Sequence, residues 1–290
     1  MQDKNGSVVN DFIEEFKAAM WEHGIEPPER IIDDGVLHRF NINRKASGWY
    51  VLHGGGFYAG AFGDWSKDIK AKWHQDSDKK YAMSNEEKQR MEAAKNRREQ
   101  GRRRLQICAA NRACDILDVW ARPVKSHAYA EKKRVNIAKI GLSVYQKKLV
   151  IPIVDSISRL VNLQLIDKDG AKKFLYGGKI KGCYHEIGQM YGYKEKLFIC
   201  EGWATGMSLH HHFGEPVIVA FSAGNLTPVA VAINKLLPEA KIIIAADNDK
   251  SGVGEKAAIE ACHAIGCTYI IPDDLGDFND LFPMDFNPIN

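Results

Sequence analysis

The sequence predicts an α/β protein: a parallel sheet flanked by helices, preceded by a basic α+β subdomain and an N-terminal helical and β-hairpin region. Three observations carry this. Strand-like and helix-like segments alternate through the last hundred residues. The strand-like segments there are continuous apolar runs, as in strands covered on both faces. Upstream, short apolar runs broken by turn residues flank one long stretch of helix formers. A length of 290 residues allows two or three compact units. The expected divisions are 1–82, 83–125, 126–195 and 196–286.

The first element is a helix, with Phe12, Phe16, Ala19 and Met20 at helical spacing before Gly24. VLHRFNI, GWYVLH and FYAGAF read as strands, with Gly54 to Gly56 turning between the last two and HQDSDKK as a polar connector. Trp49, Tyr50, Phe57, Tyr58, Phe62 and Trp65 form either the core of a small β-domain or a platform for stacking bases of a single strand. Ser84 with Glu87 makes a capping box that opens a long helix, with Gly101 as its weak point.

Between Lys88 and Arg104 that helix holds eight basic residues against two acids, Glu92 and Glu99. The run is either a solvated face or a phosphate-facing surface, and Arg97, Arg98, Arg102, Arg103 and Arg104 would form the latter. LVIPIVDSISRLVNLQLIDKDGAKKFLYGG then reads as two or three strands with turns. Lys168, Lys172, Lys173, Lys179 and Lys181 make a second basic cluster.

In the last hundred residues, KLFICEG, PVIVAF, KIIIAAD and CTYIIPDD are strands. WATGMSLHHHFG, NLTPVAVAINKLLP and GVGEKAAIEACHAIG are the helices between them. His210 to His212 read as helix surface with one packed ring.

Functional residues of open parallel sheets gather at the carboxyl ends of the strands. One strand ends at Glu201, another at Asp247 and Asp249, and a third at Asp273 and Asp274, with Asp277 and Asp280 just beyond. Residues i and i+2 of an extended chain point the same way, so Asp247 and Asp249 would face one spot. Carboxylates crowded together raise each other's pKa and destabilise the fold, a penalty that a hard divalent cation removes. The pair is therefore read as a Mg²⁺ site with Glu201 across from it. Gly202 allows the sharp turn into a helix whose N-terminal N–H groups favour anions.

Some classes are excluded. No G-x-G-x-x-G follows the first strand and no G-x-x-x-x-G-K-[ST] occurs, so neither a dinucleotide fold nor a P-loop motor is expected. The six cysteines include no C-x2-C pair, so no zinc ribbon is expected; Cys262 and Cys267 stand at C-x4-C spacing. A net charge of +3 is too small to imply nucleic-acid binding by itself. The acids inside the first apolar run, and the lack of any apolar stretch of about 20 residues, lead to the expectation of a cytoplasmic chain with no membrane partner.

CEGWATGMSL together with AADNDKSG resembles the Toprim domain of primases, topoisomerases and some nucleases. LVIPIVDSISRLVNLQLIDKDGAKKFLYGGKIKGCYHEIG looks like the basic subdomain that precedes Toprim in phage and plasmid primases of the DnaG-like type. GWYVLHGGGFYAGAFGDW is similar to their N-terminal region. The resemblance implies that Glu201 is a metal ligand or general base, that Asp247 and Asp249 bind Mg²⁺ or Mn²⁺, and that Asp277 and Asp280 are a third acidic site. It implies that Lys172, Lys173, Lys179, Lys181 and Arg159 steady nucleoside triphosphate or template. Asp-x-x-Asp stands where Asp-x-Asp is common, and the zinc module and fused helicase of many such primases have no counterpart in the sequence.

The expected activity is synthesis of short RNA primers on single-stranded DNA by nucleotidyl transfer, with two divalent ions and a separate replicative helicase as partner. The rivals are a Toprim nuclease, an Asp-x-Asp phosphohydrolase and a non-catalytic single-strand-binding module. A Toprim topoisomerase would need a tyrosine on a further domain.

Overall fold

A computed structural model of the chain describes residues 5–54, 58–75, 85–138, 140–190 and 192–282. The turn at Gly55 and Gly56, Phe57, most of the HQDSDKK connector and the Ser84 cap lie outside these. The chain divides into two compact units, residues 1–96 and 97–290.

In the first unit, α1 (Asn5–Glu22) is followed by a meander of β1 (His38–Ile42), β2 (Lys45–His53), β3 (Ala59–Asp64) and β4 (Ile69–His74), in that order across one sheet. All three pairings are antiparallel. The helical spacing turns Phe16 and Met20 onto Tyr50, Leu52 and Phe62, and Phe16 meets Phe62 edge-on at 5.5 Å. The core reading thus holds for Tyr50, Tyr58 and Phe62. Trp49 stacks on Trp65 at 5.8 Å, and Trp65 keeps a face to solvent beneath the Arg39 guanidinium. Strand β4 was not among the expected elements. Its alternating Ile-Lys-Ala-Lys-Trp-His suits a half-buried edge, but two lysines mask the apolar pattern.

The 31-residue α2 (Asn85–Asp115) carries the division point and runs unbroken through Gly101. A lone glycine costs a helix about 1 kcal/mol, which the turns on either side sustain. The helix ends in a π turn over Ile116–Trp120. Ala109, Ala113 and Ile116 pack against Val150 and Leu163 of the following sheet. That sheet is antiparallel, in the order β5 (Arg122–Pro123), β6 (Ser143–Tyr145), β7 (Lys148–Val154), β8 (Leu160–Ile166), β9 (Lys172–Phe174), with α3 (Ala128–Lys132) between β5 and β6 in the chain.

The last elements are β10 (His185–Ile187), β11 (Lys196–Cys200), α4 (Trp203–Phe213), β12 (Val217–Val219), α5 (Ala223–Leu236), β13 (Lys241–Ala245), α6 (Val253–Ile265), β14 (Thr268–Ile270) and α7 (Phe278–Leu281). Their sheet has the order β10-β12-β11-β13-β14. Four strands are parallel, as expected. The fifth, β10, is an antiparallel edge pairing with β12, supplied by a stretch read as part of the upstream subdomain. Three residues are too few to show a period.

One face of this sheet packs Phe198, Trp203 and Met207 into a single core with Tyr129, Val135 and Ile151 of the preceding subdomain. The other packs Ile199, Ile218 and Ile244 on Leu226, Val229 and Ala258 of α5 and α6. Among the described residues no helix is long and apolar enough to cross a membrane.

Candidate active site at the strand-end rim

Register sets the site. Cys200, the last residue of β11, pairs with Ala245, the last of β13. Glu201 and Asp247 therefore leave neighbouring strands at the same edge. Helix α6 begins on this edge. A Cβ built on Gly254 would stand 2.5 Å from the Asp247 carbonyl oxygen and 3.4 Å from Glu201 Oε1, so only glycine admits this approach.

Burial, then the charge of Asp247, pushes the Glu201 carboxyl up to about 7, against a bond donated by the Ala223 N–H at the start of α5. Burial, then Asp277, pushes Asp247 up to about 6, while Lys172 and Lys133 pull it back. Asp247 Oδ1 is buried and accepts no hydrogen bond. The thiol of Cys200, beneath the rim, is driven well up by burial and then by Asp247, Glu201 and Asp277.

Asp249 behaves differently. The strand ends at Ala245, so strict alternation does not govern the orientation of Asp249. Its Oδ1 accepts from the Ser251 N–H at 2.7 Å and from the Ser251 hydroxyl; its Oδ2 accepts from the Gly254 N–H at 3.2 Å. These bonds, the Ser251 hydroxyl first, hold its carboxyl below the usual range. Asp249 is thus ionised, close enough to raise both Glu201 and Asp247, and tied to the first turn of α6.

Asp277 and Asp280 form a reciprocal cap on α7. Asp277 Oδ1 accepts from the Asn279 and Asp280 N–H groups at 2.8 and 3.1 Å, and Asp280 Oδ2 accepts from the Asp277 N–H at 3.2 Å. Asp277 also meets Lys133 Nζ at 3.7 Å and borders Asp247. Asp280 is exposed and turned back on its own turn.

The predicted cations do not gather at one place. Lys172 projects its ammonium among Lys133, Asp277 and Asp247; burial and then Lys133 lower its pKa, and the two acids restore part of it. Lys173, its neighbour on β9, points to the opposite face of the strand. Lys179 and Arg159 line a separate cleft together with Arg103. Lys181 is exposed on the loop after β9. Arg102 and Arg103 share Glu99 on α2, where Arg97 and Arg104 are exposed too; Arg98 lies on the same helix. Gly202 is the N-cap of α4, extended at φ −98° and ψ 144°, and its carbonyl accepts the Gly206 N–H at 2.9 Å.

Lys133 was missed from sequence, where it stands in an unremarked Lys-Lys-Arg run at Lys132 to Arg134. Also missed were the asparagines that fasten the rim. Asn225 Nδ2 donates to the Ile180, Cys183 and Ala220 carbonyls at 3.2, 3.0 and 2.8 Å, and its Oδ1 accepts from the Gly182 N–H at 2.8 Å. Asn248 Nδ2 donates to the Pro272 carbonyl at 2.9 Å.

Among the described residues no three carboxylate, imidazole or thiol groups close on one point. Mg²⁺ does not require that, because it binds through one or two carboxylates and keeps several waters. The buried, unpartnered Asp247 oxygen beside Glu201 is the feature such an ion suits.

Residues 196–285 match the Toprim domain family. Two curated relatives, both DNA primase TraC of Escherichia coli, are 29% identical over 262 residues and 33% identical over 135 residues. The first alignment takes in 84% of this chain and 24% of the relative, the second 43% and 9%. The chain thus spans about a quarter of the first relative's length. Among solved structures, the Aquifex aeolicus primase with zinc-binding and RNA polymerase domains aligns over 83% of this chain and 77% of that one, at 15% identity and a TM-score of 0.41.

Proposed function

We propose that this chain, with its Toprim domain at 196–285, is the polymerising core of a DNA primase that joins ribonucleotides on a single-stranded DNA template. The observation that carries the reading is the juxtaposition of Glu201 with Asp247, whose buried oxygen has no partner, beside two lysines. Likeness to DNA primase TraC of Escherichia coli over 84% of the chain supports it.

Glu201, Asp247 and Asp249 would hold Mg²⁺ or Mn²⁺. When bound, such an ion neutralises phosphoryl oxygens and acidifies an attacking hydroxyl. Asp249, kept ionised by Ser251 and Gly254, supplies a fixed negative charge. If Glu201 is instead the general base, its carboxylate, at the strand end beside that of Asp247, accepts a proton from the 3′-hydroxyl of the growing strand. Lys172 and Lys133 reach the rim from the antiparallel subdomain and would orient the triphosphate of the incoming nucleotide. Asp277 holds Lys133 in place. Nucleoside triphosphates and the template are the proposed partners, with a separate helicase opening the duplex.

The test is incorporation of labelled ribonucleotides on random single-stranded templates with each metal. Wild-type chain should make short RNA, and Glu201→Gln and Asp247→Asn should lose at least about 100-fold in rate. Wild-type rates in Asp247→Asn would refute the assignment. Nicking of supercoiled plasmid without any incorporation would turn it into a nuclease.

A further inference from the structure

We infer that Tyr129 is a positioning residue for the incoming nucleotide: its ring face seats the Lys172 ammonium and its carbonyl fixes Lys133, so both lysines are held toward the triphosphate. The identity of that nucleotide rests on the polymerase reading; the seating of the two lysines does not.

Tyr129 lies in the first turn of α3. His127 fixes the start of that helix. Its Nδ1 accepts the Tyr129 N–H at 3.2 Å, and its Nε2 donates to the Lys147 carbonyl at 3.2 Å. The Tyr129 carbonyl accepts the Lys133 N–H at 3.0 Å, closing the turn that delivers Lys133 to Asp277. The tyrosine is 3% exposed, and its ring is held by neighbours from two other elements. Trp203, the first residue of α4 after Glu201 and Gly202, lies 6.2 Å away between ring centroids. The turn before β9 also touches the ring. A Cβ built on Gly170, which has φ +98°, would stand 3.5 Å from the Tyr129 Cδ2 and Cε2.

That turn is itself tied down. Asp167 Oδ1 accepts from the Asp169 and Ala171 N–H groups at 3.0 and 2.9 Å, and the Gly170 N–H donates to the Asp167 carbonyl at 3.1 Å. The next residue is Lys172, whose Nζ comes to 5.9 Å over the Tyr129 ring. The negative face of an aromatic ring attracts an ammonium at this range. Lysine carries its charge on a flexible four-carbon stem with no planar fork to aim it. Left to Coulomb forces alone, the ammonium would be drawn to Asp277 and Asp247 and pushed by Lys133. The ring adds an attraction that needs no carboxylate, so the N–H donors of Lys172 remain available to phosphate oxygens.

The Tyr129 hydroxyl is buried and makes no hydrogen bond. Position 129 therefore contributes its ring and not its polar tip. A residue that merely filled the core would be indifferent to the charge on its ring face, whereas a seat for an ammonium depends on it.

The test is binding of ATP to the full chain in Mg²⁺ across a series at position 129. The series is wild type, Tyr129→Phe, and the phenylalanine ring bearing one, two and three fluorines. Tyr129→Phe should bind ATP as wild type does and melt no lower, since it loses only an unpartnered hydroxyl. Fluorine drains charge from the ring face while nearly keeping its shape, so folding is preserved along the series. The dissociation constant should rise with each fluorine, by about 2- to 5-fold at the end. In a Lys172→Gln background the same series should be flat. A flat series with Lys172 present, or an equal rise without it, overturns the inference. So does a loss in Tyr129→Phe as large as that of the trifluorinated ring, which would assign the role to the hydroxyl. A wild-type chain with no affinity for ATP up to about 1 mM overturns it as well. A chain that makes no primers yet shows the Lys172-dependent rise fails the polymerase reading and keeps this one.

Discussion

Asn279 Nδ2 donates to the Lys133 carbonyl at 2.8 Å, joining residues 146 positions apart, and to Ser208 Oγ at 2.9 Å. One buried amide thus ties α7, capped by Asp277, both to the lysine that faces Asp277 and to the helix that follows Glu201. Asn279→Ala would leave a carbonyl and a hydroxyl without partners. The expected loss is about 2–3 kcal/mol, read from urea unfolding, together with weaker nucleotide binding as Lys133 loosens. A loss below about 0.5 kcal/mol would show that the amide is not what fastens the rim.

Asp247→Asn should separate stability from activity. Above pH 6 the native chain carries an ionised Asp247 that burial and Asp277 disfavour. Removing that charge should stabilise the metal-free protein at pH 8 by about 1 kcal/mol while abolishing primer synthesis. The sign follows from a folded pKa of about 6 above the ordinary 3.8. The native state takes up the proton first, so wild type recovers stability as pH falls through that window, and the gain in the variant shrinks. A variant less stable than wild type at pH 8 without metal would mean that Asp247 is held by partners and is not strained by its neighbours.

The alternation of oily strands and amphipathic helices made the parallel part of the last sheet legible, because strands buried on both faces leave nothing else for a sequence to say. The placement of Glu201 and Asp247 followed from strand ends alone. Asp249, Asp277 and Asp280 did not follow so simply. An aspartate before a helix is both a ligand candidate and a cap, and only coordinates show which N–H groups its oxygens accept. Lys172 and Lys173 are adjacent in sequence, yet strand pleating sends one to the acids and the other away. The cleft at Arg103, Arg159 and Lys179 draws on residues 76 positions apart, a convergence no local pattern records. The Asn225 and Asn279 staples give no periodic signal, since buried amides are specified by the carbonyls they meet.

His185 should set an acid limit on stability. Its Nδ1–H donates to the Pro152 carbonyl at 3.0 Å, binding the edge strand β10 to β7. Burial pushes its pKa down to about 4, so the ring is neutral in the native protein. The unfolded chain binds a proton near pH 6.5 and the native chain does not until about pH 4. Stability should therefore fall on acidification between those values, by up to about 3 kcal/mol. His185→Gln should flatten urea midpoints across that range. An undiminished pH slope in the variant would place the acid sensitivity elsewhere.

Two glycines should respond to alanine with opposite signs. At Gly101, in the middle of α2, an added Cβ meets nothing within 4 Å. Gly101→Ala should raise stability by about 0.5–1 kcal/mol by removing backbone freedom from the unfolded chain. At Gly254 the same methyl would sit 2.5 Å from the Asp247 carbonyl oxygen. That oxygen is backbone and cannot swing aside, so the first turn of α6 must lift from the rim. The Gly254 N–H would then draw away from Asp249 Oδ2, now 3.2 Å distant. Gly254→Ala should lose about 1–3 kcal/mol. Its rate of ribonucleotide incorporation should fall by more than about 10-fold, since misplacing a catalytic group by a fraction of an ångström to 1 Å has effects of this order. Thermal melts and incorporation assays on both variants decide the matter. A Gly254→Ala protein as stable and active as wild type would show that α6 does not hold the acidic rim in place.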